Sequence, residues 1–210
     1  MRPCPARARP AAKSRPPFRA AAVGRVLALA LALTGGGRAS RVLAEGPIPA
    51  GRPPEWGLEA GYGFSVHLNP GPSDTELLVV TPTLGVRLSS HLEYVASGTL
   101  EGYLQPSGSY FVGLLPVGAR IAIGTGPVAP FANVGLGFGW TDLDRLLEIS
   151  RRFNFRVEAG VGVRVPAAGD PGAWTVRVRF FHTSNAGTTY PNLGLNQVVV
   201  TGGWRFKTGS

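Results

Sequence analysis

Residues 153–165 carry the pattern on which the fold prediction depends, and they read FNFRVEAGVGVRV. Every odd-numbered position from Phe153 to Val165 is apolar, whereas the even-numbered positions carry Asn, Arg, Glu or Gly. Successive side chains of a β-strand point to opposite faces. The alternation therefore predicts a strand with one apolar face and one polar face.

Seven further segments after residue 45 show the same two-residue period, and none shows the 3.6-residue period of an amphipathic helix. Turn-forming stretches rich in Gly, Pro, Asn and Ser separate the segments. In the fourth segment, we expect Phe111 and Leu115 to belong to the apolar row. The eight predicted segments cover residues 58–68, 78–88, 92–104, 110–123, 128–140, 153–165, 174–180 and 198–206.

Alternation alone fits both a soluble β-sandwich and a small transmembrane β-barrel, because both have one apolar and one polar face. Strand length favours the barrel, since most of the segments have about 10–14 residues, which suits a tilted membrane-spanning strand. The last segment ends in Trp204-Arg205-Phe206, which resembles the terminal aromatic signal of outer-membrane proteins. Aromatic side chains also lie near the ends of the apolar rows, as in interfacial girdles. They are Trp56, Tyr94, Phe111, Trp140, Phe153, Trp174, Trp204 and Phe206.

The sequence therefore predicts an all-β fold, an eight-stranded antiparallel transmembrane β-barrel within residues 45–210, preceded by a cleaved signal peptide. If both termini lie in the periplasm, the connections after odd-numbered strands face outward. A soluble β-sandwich is the less favoured alternative, and it would be extracted without detergent.

The first 44 residues have the pattern of a secretory signal peptide. Residues 1–25 are rich in Arg, Pro and Ala, and an apolar run of eight residues, 26–33, follows them. This run is much shorter than the roughly 20 apolar residues of a transmembrane helix. We expect cleavage before Glu45, with a cut near Ala39 as the alternative position. The alternative to a signal peptide is a disordered cationic tail.

The net charge of +9 comes entirely from this N-terminal part. Nine of the 21 basic residues precede Glu45, where there is no acidic residue, and the remaining 12 are balanced by 12 acidic residues. Because the rest of the chain is neutral and has no basic stripe, a nucleic-acid partner is not expected.

A candidate catalytic pair lies at the end of the seventh segment. His182 and Ser184 continue the apolar row beyond Phe180, because all three carry even numbers. Residues two apart on a strand point the same way, with Cβ atoms about 7 Å apart, so imidazole and hydroxyl can approach. A neutral His can take the proton of a Ser hydroxyl as it attacks an ester. If strands seven and eight pair antiparallel, Asn196 is expected beside the two.

The longer string around this pair resembles a known family. His182-Thr183-Ser184-Asn185-Ala186-Gly187, followed by Pro191-Asn192, Gly194 and Asn196, is similar to the signature of the outer-membrane lipid A 3-O-deacylase family, also called acyloxyacyl hydrolase-like proteins. Members fold as eight-stranded outer-membrane barrels and hydrolyse the ester-linked acyl chain at position 3 of lipid A with a lipid-facing His–Ser–acid triad. The resemblance implies Ser184 as nucleophile and His182 as base. It also implies Asn192 and the backbone N–H groups near Gly187 as contributors to an oxyanion hole.

Asn196 departs from the family pattern, which carries an acid at this position. An amide oxygen can hold the imidazole in the required tautomer, but it cannot stabilise the imidazolium by charge. Replacing the acid by its amide in a serine protease triad lowers the rate about 10⁴-fold, because the wrong tautomer is held. We therefore expect a functional but slower esterase.

These inferences define the expected partners and the alternative function. The predicted substrate is lipid A, or lipopolysaccharide, in the bacterial outer membrane, whose lipid surrounds the barrel. No cofactor is expected, and no metal site is expected, because His67 and His91 have no second His or Cys at ligand spacing. The sequence leaves a homodimer open. The alternative function is that of a non-catalytic structural or adhesive outer-membrane barrel that retains the motif.

Overall fold

The computed structural model describes residues 53–68, 73–124, 126, 128–168 and 172–207, so the predicted signal peptide, residues 1–44, lies outside the described residues. Among the residues described there is no helix long and apolar enough to cross a membrane. The strands are β1 (Glu55–Ser65), β2 (Glu76–Arg87), β3 (Leu92–Gln105), β4 (Tyr110–Ala122), β5 (Ala129–Thr141), β6 (Phe153–Pro166), β7 (Ala173–Ser184) and β8 (Leu195–Lys207).

The strands form one closed antiparallel barrel. Each strand pairs with its neighbour in the chain, and β8 pairs with β1 to complete the ring. The strands are 11 to 14 residues long, which confirms the predicted span. Closure leaves no unpaired strand edge, and an unpaired edge would be costly in hydrocarbon, where no water can satisfy the backbone.

The outer surface is apolar, as expected for a barrel that faces lipid. Leu58, Val134 and Trp174 lie on three different strands, and each is between 51% and 59% exposed. Aromatic rings gather at both ends of the barrel. Trp174 contacts Trp204 edge to face at the end where β1 begins and β8 ends, with ring centroids 4.7 Å apart. At the other end Trp140 contacts Phe153 at 5.2 Å.

The middle of the barrel interior is filled by ion pairs. Carboxylates and guanidinium groups from different strands neutralise one another there, so few charges remain without a partner in a space closed to bulk water. The pairs are Arg156–Glu101, Arg177–Glu59 at 2.7 Å, Arg179–Glu158 at 2.6 Å, Arg205–Glu93 and Arg120–Glu93 at 3.1 Å.

The interior becomes apolar at the end where the connections after odd-numbered strands lie. The connection between β5 and β6, residues 142–152, folds into this mouth and buries Leu143 and Ile149. The cluster consists of Leu77, Val79, Tyr103, Phe111, Leu143, Ile149, Phe181, Leu195 and Val199. This plug brings the β5–β6 connection against the loop that follows β7.

One part of the predicted facing was wrong. Phe111 and Leu115 were expected on the outer face, but they are 0% and 2% exposed and point into the barrel. The reason is an irregularity in β4 around Pro116, where the register shifts against both β3 and β5. Proline has no N–H for the ladder, and one extra residue reverses the facing of the residues before it. Phe111 therefore lies under the Arg156 guanidinium, at 3.7 Å, and not in the aromatic girdle.

Candidate active site

His182 and Ser184 lie at the C-terminal end of β7, on the outer face of the barrel. Their neighbours on β6 are Val157, which is opposite His182, and Phe155, which is opposite Ser184. Both neighbours are exposed on the lipid-facing surface, whereas His182 and Ser184 are partly buried. The polar pair therefore borders the apolar surface and is not part of the lumen.

Asn196 lies directly opposite His182 on β8, as the parity argument predicted. The Asn196 Oδ1 atom is 2.8 Å from His182 Nδ1. Because an amide oxygen can only accept, the hydrogen of the neutral ring lies on Nδ1. The lone pair on Nε2 is then free to accept a proton from a hydroxyl.

The Ser184 side chain is on the same face of β7 as the His182 ring. Within the described ranges, however, its hydroxyl makes no hydrogen bond to His182. The strand places the two Cβ atoms about 7 Å apart, so contact requires both side chains to lean together. Catalytic hydrogen bonds are often long before substrate binds. The geometry brings Ser184 and His182 to one surface without a hydrogen bond between them.

Asn185 holds the loop after β7 in place, and it is only 1% exposed. Its Nδ2 donates to Ser150 Oγ and to the Thr189 carbonyl, both at 3.0 Å. Its backbone N–H donates to Asn192 Oδ1 at 3.0 Å, and its Oδ1 accepts from Gly187 N–H at 3.0 Å. One buried amide therefore fixes the loop next to Ser184.

These contacts decide which donors are free near Ser184. The Gly187 N–H is already used by Asn185 Oδ1. Asn192 accepts through its oxygen, which leaves its Nδ2 group without a hydrogen bond to any described residue. The same holds for the N–H of Ala186, a residue that adopts a positive φ of 53°.

Some residues near the site were missed by the sequence analysis as contributors. Gly194 lies against the His182 ring, and its N–H donates to the Glu148 carbonyl at 3.0 Å. Glu148 and Ser150 belong to the β5–β6 connection. Gly194 and Asn185 stand inside the motif and could have been found there, whereas no local pattern marks Glu148 or Ser150.

Within the part of the chain that the structure describes, no group of three or more His, Cys, Asp or Glu side chains is arranged to hold a metal ion. His67 Nε2 lies 2.9 Å from Asp74 Oδ1, and His91 Nδ1 lies 2.8 Å from Ser90 Oγ.

Comparisons with known proteins agree with this fold. The crystal structure of the outer membrane enzyme PagL is similar, with 17% sequence identity and a TM-score of 0.53, over 72% of this chain and 98% of that one. The crystal structure of Neisserial surface protein A (NspA) is similar at 14% identity and a TM-score of 0.50, over 73% of this chain and 96% of that one. No curated protein matches the chain.

The barrel fold and these similarities assign the protein to the bacterial outer membrane. Residues 60–205 match the sequence profile of the family described as Lipid A 3-O-deacylase (PagL). The match covers most of the chain, including the whole string from His182 to Asn196. The chain therefore belongs to the lipid A 3-O-deacylase (PagL) family.

Proposed function

We propose that the protein is an esterase that removes the 3-O-linked acyl chain from lipid A, with Ser184 as nucleophile and His182 as general base. Membership of the family supports the reaction and the substrate class. The assignment of roles to individual residues is our inference from their geometry.

One observation carries the proposal: the hydrogen bond between His182 Nδ1 and Asn196 Oδ1, formed on the row that also carries Ser184. It leaves Nε2 as the basic nitrogen on the side of the ring available to a hydroxyl. A polar group at the lipid-facing surface is costly, so a His–Ser–Asn group there is expected to act on something in the membrane.

The proposed reaction has two steps. The Ser184 oxygen attacks the ester carbonyl carbon while its proton moves to His182 Nε2, and a tetrahedral intermediate forms. The intermediate collapses with cleavage of the bond to the sugar oxygen, which leaves as the 3-hydroxyl after taking the proton from the imidazolium. Water, activated by the same base, then hydrolyses the acyl-enzyme and releases the 3-hydroxy fatty acid.

The oxyanion of the tetrahedral intermediate needs hydrogen-bond donors that are not otherwise occupied. Asn192 Nδ2 and the Ala186 N–H meet this condition, whereas the Gly187 N–H is bonded to Asn185. We therefore assign the oxyanion hole to Asn192 and Ala186, with Gly187 as the residue that allows the turn between them through its φ of 76°.

The orientation of the barrel in the membrane supports access to this substrate. Both ends of the barrel domain lie at the end opposite the site. If they face the periplasm, as in bacterial barrels, His182 and Ser184 lie at the outer leaflet. Lipid A is a component of that leaflet, so its ester can reach Ser184 laterally from the membrane.

The test is a lipid A assay with purified, detergent-solubilised protein and mass detection of the released fatty acid. Wild type is expected to release 3-hydroxy fatty acid, and Ser184→Ala to release none above background. Ser90→Ala makes the same chemical change at the opposite end of the barrel and is expected to match wild type. If Ser184→Ala and wild type release equal amounts, the assignment of the nucleophile fails.

The second candidate function is a non-catalytic structural or adhesive outer-membrane barrel. The amide at position 196 favours it, because an acid is expected there in an active triad. Asn196→Glu separates the two functions. A rise in deacylation supports a correctly built but weakened esterase, while no activity in either form supports the non-catalytic barrel.

A further inference from the structure

Glu148 is a buried acid that the folding of the β5–β6 connection carries to the active site. It lies between residues of the apolar plug, next to Ile149, and is 3% exposed. Its carbonyl accepts the N–H of Gly194, the glycine that packs on the His182 ring. The backbone of Glu148 is therefore hydrogen-bonded to the loop after β7.

The carboxylate of Glu148 has an unusual set of partners for this barrel. It accepts from the Ser73 N–H at 2.9 Å and from the Ser73 hydroxyl at 2.7 Å. In the described ranges it forms no ion pair, whereas the acids in the middle of the lumen each contact at least one arginine. A buried carboxylate without a cation is unfavourable for folding alone, so a contribution to the nearby site is a reasonable explanation for it.

Glu148 and Asn196 both line one small cavity. Its volume is about 10 Å³, which is enough for about one water molecule. Ser65, His67, Ser73 and Gly194 also contribute to the wall. The wall combines polar residues, among them Glu148, Ser73 and Asn196, with the apolar Val66 and Leu195.

The orientation of the Asn196 amide is the point at which Glu148 can act. With Oδ1 directed at His182 Nδ1, the Nδ2 group must point elsewhere, and it makes no hydrogen bond to any described residue. A negative charge on the same cavity attracts the N–H bonds of Nδ2, directly or through one water, and repels Oδ1. The anion therefore favours the amide orientation that keeps the hydrogen of His182 on Nδ1.

We propose that Glu148 is a positioning residue. It replaces the acid that position 196 lacks, acting on His182 indirectly through the Asn196 amide. Its charge orients the Asn196 amide, the oriented amide holds His182 in the tautomer with a basic Nε2, and the charge also favours the imidazolium that forms during the reaction. The penalty for an amide in a triad comes from the wrong tautomer. Glu148 removes the cause of that penalty.

This inference rests on the proposed function for its kinetic test, but not for its spectroscopic one. Nitrogen-15 NMR of the imidazoles in detergent micelles reports which ring nitrogen carries the hydrogen, and His182→Gln identifies the signal among the three histidines. We expect the Nδ1–H tautomer in wild type and a mixture of tautomers in Glu148→Gln. Unchanged tautomer populations in Glu148→Gln would overturn the inference, whether or not the protein is active.

The kinetic test uses the same variant. Glu148→Gln is expected to lower kcat by roughly tenfold to 100-fold, as small misplacements of catalytic groups do, with KM unchanged because Glu148 is out of reach of the lipid. Asp144→Asn removes a carboxylate from the exposed part of the same connection and is expected to match wild type. Folding of each variant is checked by the heat-dependent shift in electrophoretic mobility that closed barrels show.

A double-mutant cycle separates positioning from support of the loop. A carboxylate at position 196 faces His182 directly and does not need its orientation set, so Asn196→Glu is expected to restore activity in the Glu148→Gln protein. With Glu148 present, the gain from Asn196→Glu is expected to be smaller, because two carboxylates then share one cavity. If Glu148→Gln is equally harmful with Asn or Glu at position 196, Glu148 acts only by holding the loop, and the inference fails.

If wild type and every variant lack activity while NMR shows the expected change in tautomer, the proposed function fails and the positioning by Glu148 stands. If wild type is active through Ser184 but Glu148→Gln changes neither kcat nor the tautomer, the proposed function stands and the inference about Glu148 fails.

Discussion

Gly194 lies directly against the imidazole ring of His182. A Cβ atom built on Gly194 would come within 2.5 Å of His182 Cε1 and 3.2 Å of Nε2. The φ angle of Gly194 is 73°, in the left-handed region that side chains disfavour. The glycine thus allows the loop after β7 to pack on the imidazole of His182 while the ring keeps its hydrogen bond to Asn196.

Gly194→Ala is expected to lower deacylation at least tenfold, because the added methyl group forces the ring away from Asn196 or the loop away from the ring. The measurement is the initial rate of fatty acid release by protein that shows the mobility of a folded barrel. Gly108→Ala is the matched control, since Gly108 has a φ of 82° but open space where the methyl group would be added. Both variants carry the backbone strain of about 1–2 kcal/mol. Equal losses of activity in the two would mean that contact with the ring is unimportant.

Asn185→Ala is expected to reduce activity by more than tenfold while the barrel still folds. The substitution removes the acceptor for Gly187 and the donors for Ser150 and Thr189, each contact contributing about 1 kcal/mol to the loop. Release of fatty acid and the heat-dependent mobility shift are measured together.

Ser150→Ala is the control for this prediction, because it removes a single one of those contacts and leaves the Asn185 side chain in place. We expect a loss of less than about fivefold, in keeping with one hydrogen bond of about 1 kcal/mol. An Asn185→Ala protein as active as Ser150→Ala would show that the loop does not depend on this buried amide.

Most of the fold could be predicted from the sequence because lipid outside and charge inside mark the two faces of every strand. Residues such as Val157 and Glu158 alternate in a way that fixes both the strand and its direction of facing. The prediction failed for Phe111 and Leu115, since the extra residue at Pro116 reverses the facing and leaves no sign in the hydrophobic pattern.

The candidate site divides in the same way. The row of His182 and Ser184 and the neighbouring position of Asn196 follow from counting residues along two paired strands. The contributions of Glu148 and Ser150 cannot be found by counting residues along strands, because the β5–β6 connection that carries them has no periodic sequence pattern. The Ser150 contact, for example, joins residues 35 apart in the chain. Only the folded plug brings them to the site.

Glu101→Gln is expected to destabilise the barrel by about 3–5 kcal/mol, because it leaves Arg156 buried without its carboxylate. Phe111 and Phe181 lie 3.7 and 4.6 Å from the Arg156 guanidinium carbon, but their rings cannot replace a full charge. The free energy of unfolding is measured by urea titration in detergent micelles or vesicles.

Asp144→Asn provides the comparison for this ion pair. Asp144 pairs with Arg152 at 3.4 Å, and the Arg152 side chain is 76% exposed, so its loss is expected to cost less than about 1 kcal/mol. If the two substitutions destabilise the protein to the same small extent, the ion pairs of the lumen are not needed for stability.

An arginine on the outer face is expected to be harmful in proportion to its depth in the membrane. Val134 lies in the middle of β5 and is 59% exposed, whereas Leu104 lies one residue from the end of β3 and is 49% exposed. Because arginine at the bilayer midplane costs about 2–4 kcal/mol and near the interface about 0–1 kcal/mol, Val134→Arg should fold poorly into vesicles and Leu104→Arg nearly as well as wild type. The fraction folded is read from the heat-dependent mobility shift at increasing urea. Equal and small effects at both positions would mean that the middle of this face is not in contact with hydrocarbon.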